Sequence, residues 1–121
     1  MKYSDNVGIT LVEFEDFTRF ASKNLRTGEY EDLTYFLAEN PEAGAVISGT
    51  GGIRKLRWAA KGKGKSGGVR VIYYYHDADM PLLLLTGFAK NEMENISQAA
   101  RNAYRKLIPV LVQQYKSRGK K

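Results

Sequence analysis

Residues 53–76 read "IRKLRWAAKGKGKSGGVRVIYYYH". Residues 53–60, "IRKLRWAA", and 69–76, "VRVIYYYH", predict two strands, the second strongly, since it is β-branched and aromatic. Between them "KGKGKSGG", residues 61–68, alternates three lysines with glycines and ends in a glycine pair, which predicts a long hairpin loop. Downstream, "LLLLTGF" at 82–88 is apolar on both faces and predicts a strand buried within the same sheet. Upstream, "PEAGAVISGTGG" at 41–52 reads as a glycine-rich loop.

Outside this centre the pattern turns helical. Residues 28–40 space Tyr30, Leu33, Phe36 and Leu37 on one helical face, with Thr27 as N-cap and Pro41 just beyond the end. Residues 15–25 do the same with Phe17, Phe20, Ala21 and Leu25. Before them "VGITLVEF", residues 7–14, alternates Val7, Ile9 and Leu11 as a strand does. At the other end, Ser97 caps a helix whose stripe runs through Ala100, Ala103, Tyr104, Leu107, Leu111 and Tyr115, with Ile108 and Val112 beside it. Pro109 falls on its polar side in line with Arg101 and Arg105, where a lost hydrogen bond faces water. The expected order is strand, helix, helix, strand, strand, strand, helix. This is one α+β domain over residues 1–121 with a largely antiparallel sheet.

Composition narrows the chemistry. With 121 residues and 43% of them hydrophobic, the chain can bury a core unaided. It has no cysteine, which excludes disulfides, zinc–thiolate sites and thiol nucleophiles. The longest apolar run, "MPLLLLTGFA" at 80–89, is too short to span a bilayer, and the N-terminus has no hydrophobic signal region, so a cytoplasmic location is expected. The formal net charge of +6 favours an anionic partner. Every charged residue from Arg54 to Arg70 is a Lys or Arg, whereas the first 50 residues are net negative. That asymmetry points to a focused anion site.

"GKGKS" invites a nucleotide phosphate-loop reading, and it fails. Gly64-Lys65-Ser66 supplies the end of the pattern, but Ala59 stands where its first glycine belongs. Gly67-Gly68 then lead into a strand, not into the helix whose amides bind the phosphate. Lys61, Lys63 and Lys65 form either a solvated hairpin tip or a nucleic-acid contact, which flexible glycines would let approach closely. Lys55 and Arg57, two apart on a strand, share a face, and Arg70 opens the next strand across the hairpin. Cations so placed can hold a phosphate from several sides and stabilise the charge of a phosphoryl transition state. Tyr73 and Tyr75 fall on one face of their strand and Tyr74 on the other; Tyr74 either packs in the core or stacks on a base. Trp58 reads as core, and His76, the only histidine, as structural. With no cysteine, one histidine and no carboxylate cluster on the basic hairpin, no metal site or cofactor is expected.

Two segments together, "GTGGIRKLRWAAKGKGKSGGVRVIYYY" and "LLLLTGFAKNEMENIS", resemble the RelE/ParE toxin superfamily in its HigB-like branch. The resemblance runs from Gly49 to Ser97. It implies a small, curved, mainly antiparallel sheet with two N-terminal helices packed on it. It implies metal-independent cleavage of messenger RNA in the ribosomal A site by 2′-hydroxyl attack on the adjacent phosphate, and a cognate antitoxin as partner. The family's basic pair before the loop falls on Lys55 and Arg57, its arginine on the next strand on Arg70, and its basic residue after the last strand on Lys90. The lysines at 61, 63 and 65 then match contacts to messenger or ribosomal RNA. A tyrosine that some members carry is absent, with Ile96 near its place, so the general base falls to Lys55, to a loop lysine, or to positioning by the ribosome. Two other readings stand beside this one: a ParE-like inhibitor of DNA gyrase and a non-catalytic RNA-binding domain.

Overall fold

A computed structural model describes residues 2–6, 9–60, 68–93 and 95–119. The elements run β1 (Lys2–Asn6), β2 (Ile9–Glu13), α1 (Glu15–Asn24), α2 (Thr27–Glu39), β3 (Ala45–Val46), β4 (Arg54–Trp58), β5 (Val69–Tyr74), β6 (Leu82–Ala89) and α3 (Gln98–Gly119). The fold is α+β, with one sheet in the order β1-β2-β6-β5-β4-β3. Every pairing is antiparallel except β2 with β6, which is parallel. Among the described residues no helix is long and apolar enough to cross a membrane.

Two strands go beyond the sequence reading. Residues 2–6 pair with β2 in a hairpin, and Ala45–Val46, read above as loop, pair with Arg54 and Lys55. Both lie at sheet edges, where a strand buries little and carries little alternating signal. Thr27 is the first residue of α2 and not its cap; the preceding Arg26 N–H donates to Glu29 Oε1 at 2.8 Å. Ser97 does cap α3, its Oγ accepting from the Ala100 N–H at 3.1 Å.

The sheet separates two cores. On one face Leu11, Leu56, Val71, Tyr73, Leu82 and Leu84 pack against Phe17, Phe20, Leu33 and Leu37 of α1 and α2. On the other, Val12, Ile53, Ile72, Tyr74, Leu83, Leu85 and Phe88 meet Ile108 of α3, with Tyr104, Leu111 and Val112 packed alongside. Strict alternation along β5 sends Val69, Val71 and Tyr73 to the first core and leaves Arg70, Ile72 and Tyr74 on the α3 side. A bulge on β6 pairs Ile72 with Thr86 but Tyr73 with Leu84, so Leu85 is the extra residue and the facing resets. After it, Gly87 turns towards α1. A β-carbon there would stand 2.5 Å from the Phe20 ring, so only glycine lets the helix sit this close.

The buried stripe of α3 is narrower than the expected one. Ile108 is its most buried residue, while Leu107 is 38% exposed and Ala103 is exposed. Pro109 lies inside the helix and is exposed, as its place on the polar side requires.

Candidate active site

The register of the β4–β5 hairpin builds the site. Arg57 pairs with Arg70, and Arg70 with Phe88 on β6; Lys55 pairs with Ile72, and Ile72 with Thr86. Lys55, Arg57 and Arg70 therefore stand on the α3 side of the sheet, in two adjacent cross-strand rows. Two guanidinium side chains directly opposite one another repel, which works against the sheet unless an anion lies between them.

Their settings differ. Arg57 is exposed and Lys55 half-buried. Arg70 is buried to 7% exposure beside Phe88, and its Nη1 donates to the Val69 carbonyl at 3.2 Å. A guanidinium with so little water around it holds its N–H donors in a fixed fork. Lys90 comes just after β6, and its backbone N–H donates to the Gly68 carbonyl at 3.1 Å. That bond sets Lys90 at the base of the hairpin loop, two residues from Arg70. Arg54, the other cation of β4, points to the opposite face. It binds the Glu42 and Gly44 carbonyls at 3.0 and 2.7 Å and braces the loop before β3. The described carboxylates that form ion pairs do so with Arg19, Arg54, His76 and Lys116. Lys55, Arg57 and Lys90 are paired with none of them.

The remaining positions singled out from sequence sort as follows. Lys61, Lys63 and Lys65 lie outside the described residues. Tyr74 is 7% exposed within the second core, with its hydroxyl 3.1 Å from His76 Nδ1. Packing occupies the ring face that base stacking would need, and burial raises its hydroxyl pKa. Tyr73 is fully buried in the first core; its hydroxyl donates to the Pro41 carbonyl at 2.9 Å and accepts from the Gly44 N–H at 2.8 Å. Trp58 packs on Phe36 with ring centroids 5.3 Å apart. Ile96 is buried in the second core, so an apolar packing residue occupies the position near the absent tyrosine.

One polar cluster was not anticipated. Glu13, 3% exposed at the end of β2, accepts hydrogen bonds from Thr18 at 2.9 Å and from the Tyr30 hydroxyl. Burial first, then the bond to this carboxylate, push the Tyr30 pKa far above its usual value. The cluster sits on the α1/α2 face, across the sheet from the cations, and ties β2 to both helices. No sequence signal separates such a glutamate from a solvated one at a strand end.

A comparison with known families gives the chain its family. The model of the family described as the RelE toxin of the RelE/RelB toxin–antitoxin system matches residues 15–118. The chain belongs to the RelE toxin family. The match takes in both N-terminal helices, the cationic hairpin and nearly all of α3. Such a protein is the toxin half of a toxin–antitoxin pair, and a cognate antitoxin is its partner.

Proposed function

We propose that this RelE-family toxin is a ribosome-dependent endoribonuclease that cleaves messenger RNA in the cytoplasm and so stops translation. The observation that carries the reading is the opposition of Arg57 and Arg70 on one sheet face, with Lys55 one pair further along and Lys90 at the hairpin base. Repelling cations arranged this way become favourable when a phosphate lies between them.

In the reaction the ribose 2′-hydroxyl attacks the adjacent phosphorus. The P–O5′ bond breaks, leaving a 2′,3′-cyclic phosphate and a free 5′-hydroxyl. Arg70 holds a non-bridging oxygen from its buried position, and Arg57 meets the same phosphate from the exposed side. Both bind more strongly as charge builds on those oxygens, which lowers the barrier. Lys90 supplies a third positive charge for the phosphate or the leaving oxygen, which takes its proton from Lys90 or from water to become the 5′-hydroxyl. The proton of the 2′-hydroxyl goes to Lys55 or to a loop lysine, since position 96 offers only an isoleucine. The reading invokes no cofactor and no metal.

The test is inducible expression of the wild type and of Arg70→Ala, with new 5′ ends mapped on cellular messages. Codon-phased cuts inside translated regions, lost in the variant, are expected. Growth arrest with intact messages would overturn the nuclease reading and favour inhibition of DNA gyrase. Neither arrest nor cuts would leave a passive RNA binder.

A further inference from the structure

Helix α3 is cationic along its length. Between Gln98 and Gly119 it carries Arg101, Arg105, Lys106, Lys116 and Arg118, and the chain has no Asp or Glu after Glu94. Lys116 is committed to Asp77, at 2.7 Å. Arg101 and Arg105, four apart and so on one helix face, make no side-chain hydrogen bond or ion pair with the described residues.

What lies beside them gives these two arginines a direction. The turn before β4 takes positive φ at Gly49, Gly51 and Gly52, at 75°, 81° and 112°. A β-carbon at Gly51 would sit 3.8 Å from the Cα of Arg105, so the turn rests against α3 at this arginine. Thr50 pins it: fully buried, its Oγ1 donates to the Ile47 carbonyl at 2.6 Å and accepts from the Ile53 N–H at 3.0 Å. Gly49 and Gly51 are exposed and carry no side chain. Over these two positions a polyanionic backbone can lie close to the turn. Lys55 and Arg57 continue the same line along β4, two residues and about 7 Å apart.

We propose that Arg101 and Arg105, with the glycine turn at 49–52 beside them, form a second station for the backbone of the single-stranded message. The strand held for cleavage at Arg57 and Arg70 runs back along β4 past Lys55, crosses the glycine turn, and reaches α3. This rests on the nuclease reading above. It assigns α3 a positioning role: its arginines contact phosphates away from the bond that breaks. The message is the occupant because the track is continuous with the site that holds the scissile phosphate.

The experiment measures binding of a labelled, fully 2′-O-methylated oligoribonucleotide, which cannot undergo 2′-hydroxyl attack, to the full-length chain between 50 and 200 mM salt, a range on the order of that used for such slopes. Each lost single-strand phosphate contact flattens the slope of log K against log salt by about 0.7. Arg101→Gln and Arg105→Gln should each lose that much and the double variant about 1.4, while Lys106→Gln should keep the wild-type slope. Unchanged slopes in the arginine variants would overturn the proposal. So would an equal loss in Lys106→Gln, which would mark a diffuse field of the helix, or wild-type binding too weak to measure at the lowest salt. Cleavage is read separately. A wild type that cuts no message yet shows these slopes would sink the nuclease reading and keep the RNA track; a wild type that cuts, with unchanged slopes in the variants, would sink the track alone.

Discussion

Replacing Arg70 with methionine separates its chemical role from its structural one. Methionine keeps much of the unbranched stem beside Phe88 and removes the charge. Two effects on stability oppose each other. The pairing of Arg57 with Arg70 brings two positive charges together; at about 6 Å and an effective dielectric of about 20–40, their repulsion is about 1.4–2.8 kcal/mol. Against its relief stand the polar contacts of Arg70, the hydrogen bond to the Val69 carbonyl among them, each worth about 0.5–1.5 kcal/mol net. The folding free energy of Arg70→Met should therefore stay within about 2 kcal/mol of wild type. Activity has no such offset. Removing one preorganised donor from a developing anionic charge costs a factor of about 10²–10³ in rate. Urea unfolding gives the first quantity. Cleavage of a defined message on purified ribosomes, read by primer extension, gives the second. If cleavage falls by less than about tenfold, the guanidinium makes no transition-state contact. If stability falls by more than about 3 kcal/mol, Arg70 is a strut of the sheet, and its loss of activity would carry no mechanistic meaning.

Three further outcomes follow from the same geometry. Arg54→Met, on the same strand but the opposite face, loses its bonds to the Glu42 and Gly44 carbonyls; it should lose about 1–3 kcal/mol of stability in urea melts and keep the cleavage rate of the folded protein. Tyr30→Phe leaves the buried Glu13 carboxylate with one donor fewer, a loss of about 1–3 kcal/mol near neutral pH. It should also flatten the alkaline limb of the stability profile: burial and Glu13 raise the Tyr30 pKa in the folded protein, so the stability it contributes is complete below the free-tyrosine value of 10.0 and is lost as pH rises above it. A profile of Tyr30→Phe parallel to wild type above that pH would refute this assignment. Gly87→Ala puts a methyl group 2.5 Å from the Phe20 ring; thermal melts should show about 1–3 kcal/mol of destabilisation, and no change would mean that α1 rides higher on the sheet.

The central hairpin, the strand at 82–89 and all three helices were legible because each carries a strong period. Alternation or continuous apolarity marked the strands, and α1, α2 and α3 repeat at helical spacing. Strands β1 and β3 were not, since edge pairs of two to five residues leave almost no one-sided burial to read. The cations at 55, 57 and 70 were legible as residues sharing a sheet face. Their opposition was not, because register depends on the geometry of the connecting loop. Nor was the burial of Arg70, which arises from its neighbour Phe88 on a strand 18 residues away, through a bulge that resets the facing of β6. In α3, Ala100, Tyr104, Ile108, Leu111, Val112 and Tyr115 of the apolar stripe join the second core, while Ala103 and Leu107, which match the same spacing, are exposed. The Glu13 cluster had no sequence signal, since its partners come from two different helices.

The two faces of the sheet divide the work electrically as well as by packing. Helix α2 carries Glu29, Glu31, Asp32 and Glu39 on the side of the first core, while Glu15 and Asp16 at the start of α1 border α3 beside Tyr104 and Leu107. The other side carries Lys55, Arg57 and Arg70 on the sheet and the cations of α3. A protein with net charge +6 and these cations on one side of its sheet carries an excess of positive charge there. In the field of a polyanion, that excess turns the cationic face inward before any contact forms, raising the rate of productive encounter. The sheet, with Arg57 opposite Arg70, is secured elsewhere: through the buried leucines of β6, through Tyr73 bonded to the loop at 41–44, and through Glu13 bonded to Thr18 and Tyr30. The anchoring bonds lie on the face away from the cations, so the charged face can be tuned for an anion while the opposite face holds the fold.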